Sequence, residues 1–177
     1  AIDGYTGSDQ LIDTHVVTRE AANSGHHPIQ PPEFARRIWI AAWQALGSAC
    51  FAFANDRHDC ALLGLLVLLT SLNYWRHPIH GWRRTVDIVA ASGSLGYQIF
   101  FVAPYWHCPT AAIAYAFSVA MGVACYGRSR YLSHKYGDKD TSSWWHVGLH
   151  VCGNAGNFVL YDAVGSNLLG WSFVPDA

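Results

Sequence analysis

The chain has 177 residues, of which 51% are hydrophobic and 13% are charged, whereas about a quarter of the residues in an average soluble domain are charged. The 11 Lys and Arg residues nearly balance the 12 Asp and Glu residues, for a net charge of -1 at pH 7. The composition therefore excludes a disordered chain and a nucleic-acid-binding protein, and it predicts a protein with little polar surface.

Polar tails flank the rest of the chain. Residues 1–37 are rich in Gly, Ser, Asp and Pro and include the loop signature HHPIQPPE at 26–33. We expect this segment to be a tail on the inner face of a membrane, and residues 165–177 to be a tail on the outer face. The segment between them, residues 38–164, reads as a single bundle of helices.

Five stretches of this segment contain no Asp, Glu, Lys or Arg. They are 17, 16, 19, 20 and 21 residues long, and a helix needs about 20 apolar residues, within a range of roughly 17–25, to cross a bilayer. The sequence therefore predicts an all-α, multi-pass integral membrane protein with five transmembrane helices. The stretches are Ile38–Ala54, Cys60–Trp75, Ile88–Trp106, Cys108–Gly127 and Thr141–Tyr161.

The cations predict the orientation of these spans. If the chain crosses the membrane at every stretch, ten of the eleven Lys and Arg residues fall on one side, and Arg57 alone falls on the other. Because cytoplasmic loops carry the excess of Lys and Arg, the N-terminus is predicted on the inner side and the C-terminus on the outer side. The ten are Arg19, Arg36, Arg37, Arg76, Arg83, Arg84, Arg128, Arg130, Lys135 and Lys139.

Polar residues within the fifth stretch form a stripe. His146, His150, Asn154 and Asn157 are separated by four, four and three residues, which places them on one face of a helix. Polar side chains are costly against lipid, so we expect this stripe to face protein.

Further polar residues are predicted to lie near the inner end of that stripe. They are Ser71, His77 and His80 before the third span and Asp87 at its start. Two His at i and i+4 suit a tetrahedral zinc with one position left for water, so His146 and His150 are candidate ligands, with His77 or His80 as the third. Asp87 is then a candidate general base and Ser71 a donor to the oxyanion. The alternative is a set of polar groups that only hydrogen-bond between helices.

This combination resembles the superfamily that joins alkaline ceramidases, adiponectin/progestin receptors and the lipid hydrolases that remodel glycosylphosphatidylinositol. The match consists of Ser71, Asp87 and the HxxxH pair His146 and His150. The resemblance implies a zinc-dependent hydrolase of lipid amide or ester bonds, with membrane lipids as partners. The family's first His follows its Ser by four residues, where this chain has Trp75, and its members normally have seven spans.

Two other hypotheses come from the same residues. A haem with axial ligands such as His150 and His80 is possible in a helical bundle, and we rank it below zinc. A five-span protein without a soluble domain is also typical of an accessory subunit of a respiratory or photosynthetic membrane complex, in which the tail and the exposed aromatic residues would contact the partner.

Overall fold

The computed structural model of the chain describes residues 28–103 and 109–165, and within these ranges it is helical, with no strand. The predicted all-α class is therefore confirmed for this part of the chain. Most of the tail 1–37, and the tail 165–177 after Gly165, lie outside the described residues. The helices are α1 (Pro32–Ala42), α2 (Gln44–Ala54), α3 (His58–Trp75), α4 (Trp82–Tyr97), α5 (Pro109–Tyr131) and α6 (Lys139–Val164).

These elements make five helical rods within the described ranges. α1 and α2 are joined by Trp43 alone, whose backbone is itself helical, so they form one rod with a break in its middle. α4 continues into a π-helical turn at Gln98–Val102, and α5 continues into another at Leu132–Tyr136. Each of the five charge-free stretches lies on one rod as far as it is described.

Local sequence explains where the helices start and stop. Pro32 is at the first position of α1, where its missing N–H and fixed φ cost nothing. Gly137 follows the π-helical turn with a φ of 68°, a left-handed conformation that Gly adopts readily. Asp138 then caps α6, since its carboxylate accepts a 2.9 Å hydrogen bond from the backbone N–H of Thr141.

Two rods are long and apolar enough to cross a membrane by length and composition, namely Trp82–Val102 and Pro109–Tyr136. The other rods do not meet this criterion of length and hydropathy. α1 and α2 have 11 residues each, and α6 carries the polar stripe. Length and composition therefore support two spans, and the prediction of five spans depends on the arrangement of the whole bundle.

The rods alternate in direction, so the ends predicted to share one side of the membrane do meet. At this inner end, Arg37 of α1 donates a 2.8 Å hydrogen bond to Asp140 of α6. Trp75, the last residue of α3, packs against His146 of α6. Nine of the ten described Lys and Arg residues belong to helix ends or connections on this side, and Arg57 belongs to the opposite side.

Helix packing leaves a gap on one flank of the bundle. α5 and α6 form the most extensive helix pair, while α3 packs on both α2 and α4. α4, in contrast, packs chiefly on α3 and makes few contacts with α5 or α6. The two rods that are long and apolar enough to cross a membrane therefore flank an opening that leads into the interior.

Candidate functional site

The gap opens into a cavity of about 520 Å³ that is lined by residues of α2 to α6. Four of the six residues predicted from the sequence to form a site, Ser71, Asp87, His146 and His150, line this single cavity. Asn154 and Asn157 line it as well, so the polar stripe of α6 faces the interior. The wall contributed by α4 carries Ser94 and Gln98.

Ser71 and Asp87 form a hydrogen bond between α3 and α4. The Ser71 hydroxyl, which is buried, donates to Asp87 Oδ1 at 2.5 Å, and the Thr70 hydroxyl lies 3.5 Å from the same oxygen. A hydrogen bond to a carboxylate is about twice as strong as one between neutral groups. This pair therefore fixes the position of the carboxylate at the cavity wall.

The two histidines are adjacent on α6 and share an aromatic surround. Their ring centroids are 5.4 Å apart. The His146 ring also meets Trp75 edge-on at 4.8 Å, and Tyr126 of α5 at 6.3 Å. Trp75 thus lies beside the first imidazole, at the sequence position where the hydrolases that the sequence resembles have a His.

Two polar atoms of cavity-lining residues are buried without a protein hydrogen bond, namely Nε2 of His150 and Oε1 of Gln30. The backbone carbonyl of His150 accepts a 2.7 Å hydrogen bond from Asn154 Nδ2, and the Asn154 carbonyl oxygen accepts one from Ser48 of α2. A buried donor or acceptor without a partner costs about 1–3 kcal/mol. The His150 ring is therefore suited to bind a group that enters the cavity.

The other two predicted ligands, His77 and His80, are not brought to this site. Both are exposed in the connection between α3 and α4, and neither lines the cavity. Pro78 between them prevents a helical continuation of α3. Among the described residues, no group of three or more His, Cys, Asp or Glu side chains is arranged to hold a metal ion.

Several lining residues were not predicted from the sequence. Gln98 Nε2 donates to the Tyr161 hydroxyl at 2.9 Å, and the Tyr115 hydroxyl donates to Gln98 Oε1 at 3.2 Å. Arg84 and Arg130 line the inner end of the cavity. Arg84 and Gln98 lie three residues before and eleven residues after Asp87, so helical spacing puts them on its face of α4. Tyr161 likewise follows the polar stripe of α6. Tyr115 and Arg130 belong to α5, whose rotation the sequence pattern does not fix.

Comparison of the chain with protein-family models, with curated proteins and with solved structures gives no match. The resemblance to the zinc-dependent lipid hydrolases therefore stays a prediction.

Proposed function

We propose that the chain is an integral membrane protein of five spans whose interior cavity binds the polar head of a membrane amphiphile. The observation that carries this proposal is the cavity itself, whose mainly apolar lining carries a polar stripe and which opens between α4 and α5, the two rods long and apolar enough to cross a membrane. An amphiphile that enters from the bilayer would keep its acyl chain in the opening and its head against the polar wall.

The exposed surface of the bundle supports a membrane location. Monomeric soluble proteins rarely expose apolar patches larger than a few hundred Å², yet large apolar side chains are exposed on every rod. The most exposed include Phe53 on α2, Leu62 and Leu69 on α3, Val89 on α4, Phe100 and Phe101 in its π-helical turn, Ile113 and Phe117 on α5 and Val151 on α6.

The charge distribution supports the proposed orientation. Nine described cations lie at the end of the bundle where α1, α4 and α6 begin and α3 and α5 end, and Arg57 lies at the other. We infer that the first end is cytoplasmic, or its organellar equivalent, because of the positive-inside rule. The cavity residues Asp87 and His146 then lie in the inner leaflet.

Binding can be tested by photo-crosslinking in nanodiscs. We expect a ceramide and a phosphatidylcholine that carry a photoreactive acyl chain to label residues at the cavity opening, such as Ala91 and Val119. Val119→Trp fills the opening and should reduce this labelling. Phe117→Trp is the matched control, since Phe117 is 66% exposed and is not part of the cavity wall. Labelling that is spread evenly over the outer faces and unchanged by Val119→Trp would refute the binding function.

A second candidate function is zinc-dependent hydrolysis of a lipid amide or ester. It is favoured by the unpartnered His150 Nε2 beside His146, and by the Ser71–Asp87 hydrogen bond in the same cavity. When bound, zinc would activate a water molecule. The described residues provide two imidazole ligands for it, whereas catalytic zinc sites have three protein ligands.

Trp75 provides a direct test of this second candidate. Because its ring contacts His146, Trp75→His should add the third imidazole and raise the zinc affinity of the purified protein by about 10-fold or more, as measured by competition with a chromophoric chelator. Trp75→Phe is the control and should leave the affinity unchanged.

If the wild-type chain already carries one zinc per molecule, and His150→Ala removes it, the hydrolase becomes the better candidate. An accessory subunit remains the third possibility. It would be supported if the native protein migrates in a larger assembly and Val119→Trp releases it.

A further inference from the structure

Two arginines stand at the inner end of the cavity, one on each side of the opening. Arg84 is in the first turn of α4 and Arg130 in the last turn of α5. Both are half-buried, and among the nine cations at this end of the described chain they are the two that line the cavity. The two helices that frame the opening thus each contribute one guanidinium group.

Neither guanidinium is neutralised by a carboxylate within the described residues. The ion pairs there are Arg37 with Asp140 at the inner end and Arg57 with Asp59 at the outer end. Asp87 lies one turn after Arg84 on the same helix, but its carboxylate accepts hydrogen bonds from the hydroxyls of Ser71 and Thr70. Both guanidinium groups therefore line the cavity without an ion-pair partner among the described residues.

Hydroxyl groups line the cavity together with these two charges. Tyr74, next to the end of α3, contributes one of them. The Ser133 hydroxyl also lines the cavity and accepts a 2.6 Å hydrogen bond from the ammonium group of Lys139. Two guanidinium groups with neighbouring hydroxyls are a donor set that suits a phosphate group.

The opening beyond the arginines is apolar. α4 contributes Ile88 and Leu95 to the wall, and α5 contributes Val119 and Val123 across from them. A ligand that fits both parts has an anionic head at the arginines and a hydrocarbon chain along this wall. A soluble phosphate compound would leave the apolar part of the wall in contact with water or lipid.

We propose that this cavity selects a lipid with a phosphomonoester headgroup, which is held between Arg84 and Arg130. This inference rests on the proposed binding function and adds the chemical class of the ligand. A phosphomonoester, with a charge of about -1.5 to -2 near neutral pH, matches the two guanidinium charges, whereas a fatty-acid carboxylate matches one. The Asp87 carboxylate, further along α4, repels an anionic head and so keeps it at the arginines.

The proposal can be tested with the full chain in phosphatidylcholine nanodiscs and a fluorescent phosphatidic acid as the probe. We expect the protein to bind it at least about 10-fold more tightly than a ceramide with the same fluorescent chain. Arg84→Gln and Arg130→Gln should each weaken phosphatidic acid binding by about 10-fold and leave ceramide binding unchanged.

Each of these variants has a matched control. Arg83→Gln and Arg128→Gln remove the same charge from the same helix ends, at residues that do not line the cavity. They should change affinity less than about 2-fold, because their guanidinium groups do not contact the bound headgroup. Inorganic phosphate alone should not displace the probe at millimolar concentration, because it lacks the acyl chain.

The outcomes separate the two proposals. If ceramide and phosphatidic acid bind equally well, or if all four variants weaken binding alike, the headgroup assignment is wrong and the binding function stands. Displacement by inorganic phosphate would show a site for free phosphate and would also overturn the lipid assignment. If no amphiphile binds, the proposed function itself fails.

Discussion

Hydrogen bonds from single polar side chains connect helix ends at both ends of the bundle. At the inner end, the Arg37 guanidinium donates to Asp140 and to the Ser143 hydroxyl, and it lies 4.3 Å from the Trp144 ring centroid. At the outer end, Arg57 and the Tyr97 hydroxyl both donate to Asp59. All of these contacts except that of Arg57 with Asp59 join different rods.

The outer cluster predicts a pH dependence of stability. Asp59 lies just outside the proposed second span, and the hydrogen bond from Arg57, followed by that from Tyr97, holds the pKa of this carboxyl well below its ordinary value of 3.8. A carboxyl whose folded pKa is depressed contributes stability above its unfolded pKa and loses that contribution as the pH falls. We therefore expect Asp59→Asn to lower the unfolding midpoint at about pH 6, and this difference from wild type to shrink as the pH approaches about 3.

Thermal unfolding in detergent, followed by circular dichroism, measures this difference. Asp56→Asn is the control in the same turn: Asp56 has a φ of 59°, which Asn tolerates, and it forms no ion pair within the described residues. A difference between wild type and Asp59→Asn that stays constant with pH would contradict the role given to the ion pair.

Spacing alone could predict part of the candidate site. The i and i+4 spacing of His146 and His150 determines that they share a face, and the cost of polar groups in lipid determines that this face is internal. Spacing does not predict which side chain packs against His146, because this depends on where α3 ends. In the structure α3 ends at Trp75, whose ring contacts His146. His77 and His80 could not be placed by periodicity because they follow the end of α3, in a connection that contains a proline.

At the level of whole elements, the tightest packing is between α5 and α6, and glycines on α6 allow it. A Cβ added at Gly156 would lie 3.2 Å from Ser118 Cβ and 3.4 Å from Tyr115 Cδ2. A Cβ added at Gly153, one turn earlier, would meet nothing within 4 Å. The two glycines, which lie three residues apart in sequence, thus differ in their packing role.

This difference gives a paired prediction. Gly156→Val should destabilise the bundle by about 1–3 kcal/mol because its methyl groups overlap α5, while Gly153→Val should have a much smaller effect. Both variants share the same gain in helix propensity from Gly to Val, so the difference between them reports packing alone. Denaturant titration in detergent micelles measures it, and equal losses for the two variants would show that the close approach of α5 and α6 is not needed for stability.

Sequence patterning predicted where the helical rods lie, but it did not predict where they break or change to π-helical geometry. Charge-free stretches marked all five rods, since lipid or a buried interior requires apolar residues. The break at Trp43 and the π-helical turn at Gln98–Val102 have no composition signal, because they depend on how neighbouring helices pack. The opening between α4 and α5 could not be predicted for the same reason.

At the level of the whole molecule, the separation of charges and the alternating direction of the rods support the proposed orientation in a bilayer. α4 and α5 satisfy the length and hydropathy criterion by themselves. The first rod, α3 and α6 would cross as their partners, since α6 turns its polar stripe towards the interior cavity. Helices of this kind are tolerated in membranes because their polar groups face protein and not lipid.

Tags at the two termini distinguish a topology of five crossings from one in which only α4 and α5 cross. Five crossings place the N-terminus and the C-terminus on opposite sides, with the N-terminus inside because the cations are there. If only α4 and α5 cross, both termini lie on the same side. In sealed vesicles of known orientation, we expect protease added outside to remove a tag at Ala177 from right-side-out vesicles and a tag at Ala1 from inside-out vesicles. Removal of both tags from one vesicle type would rule out five spans, and with them the placement of Asp87 and His146 in the inner leaflet.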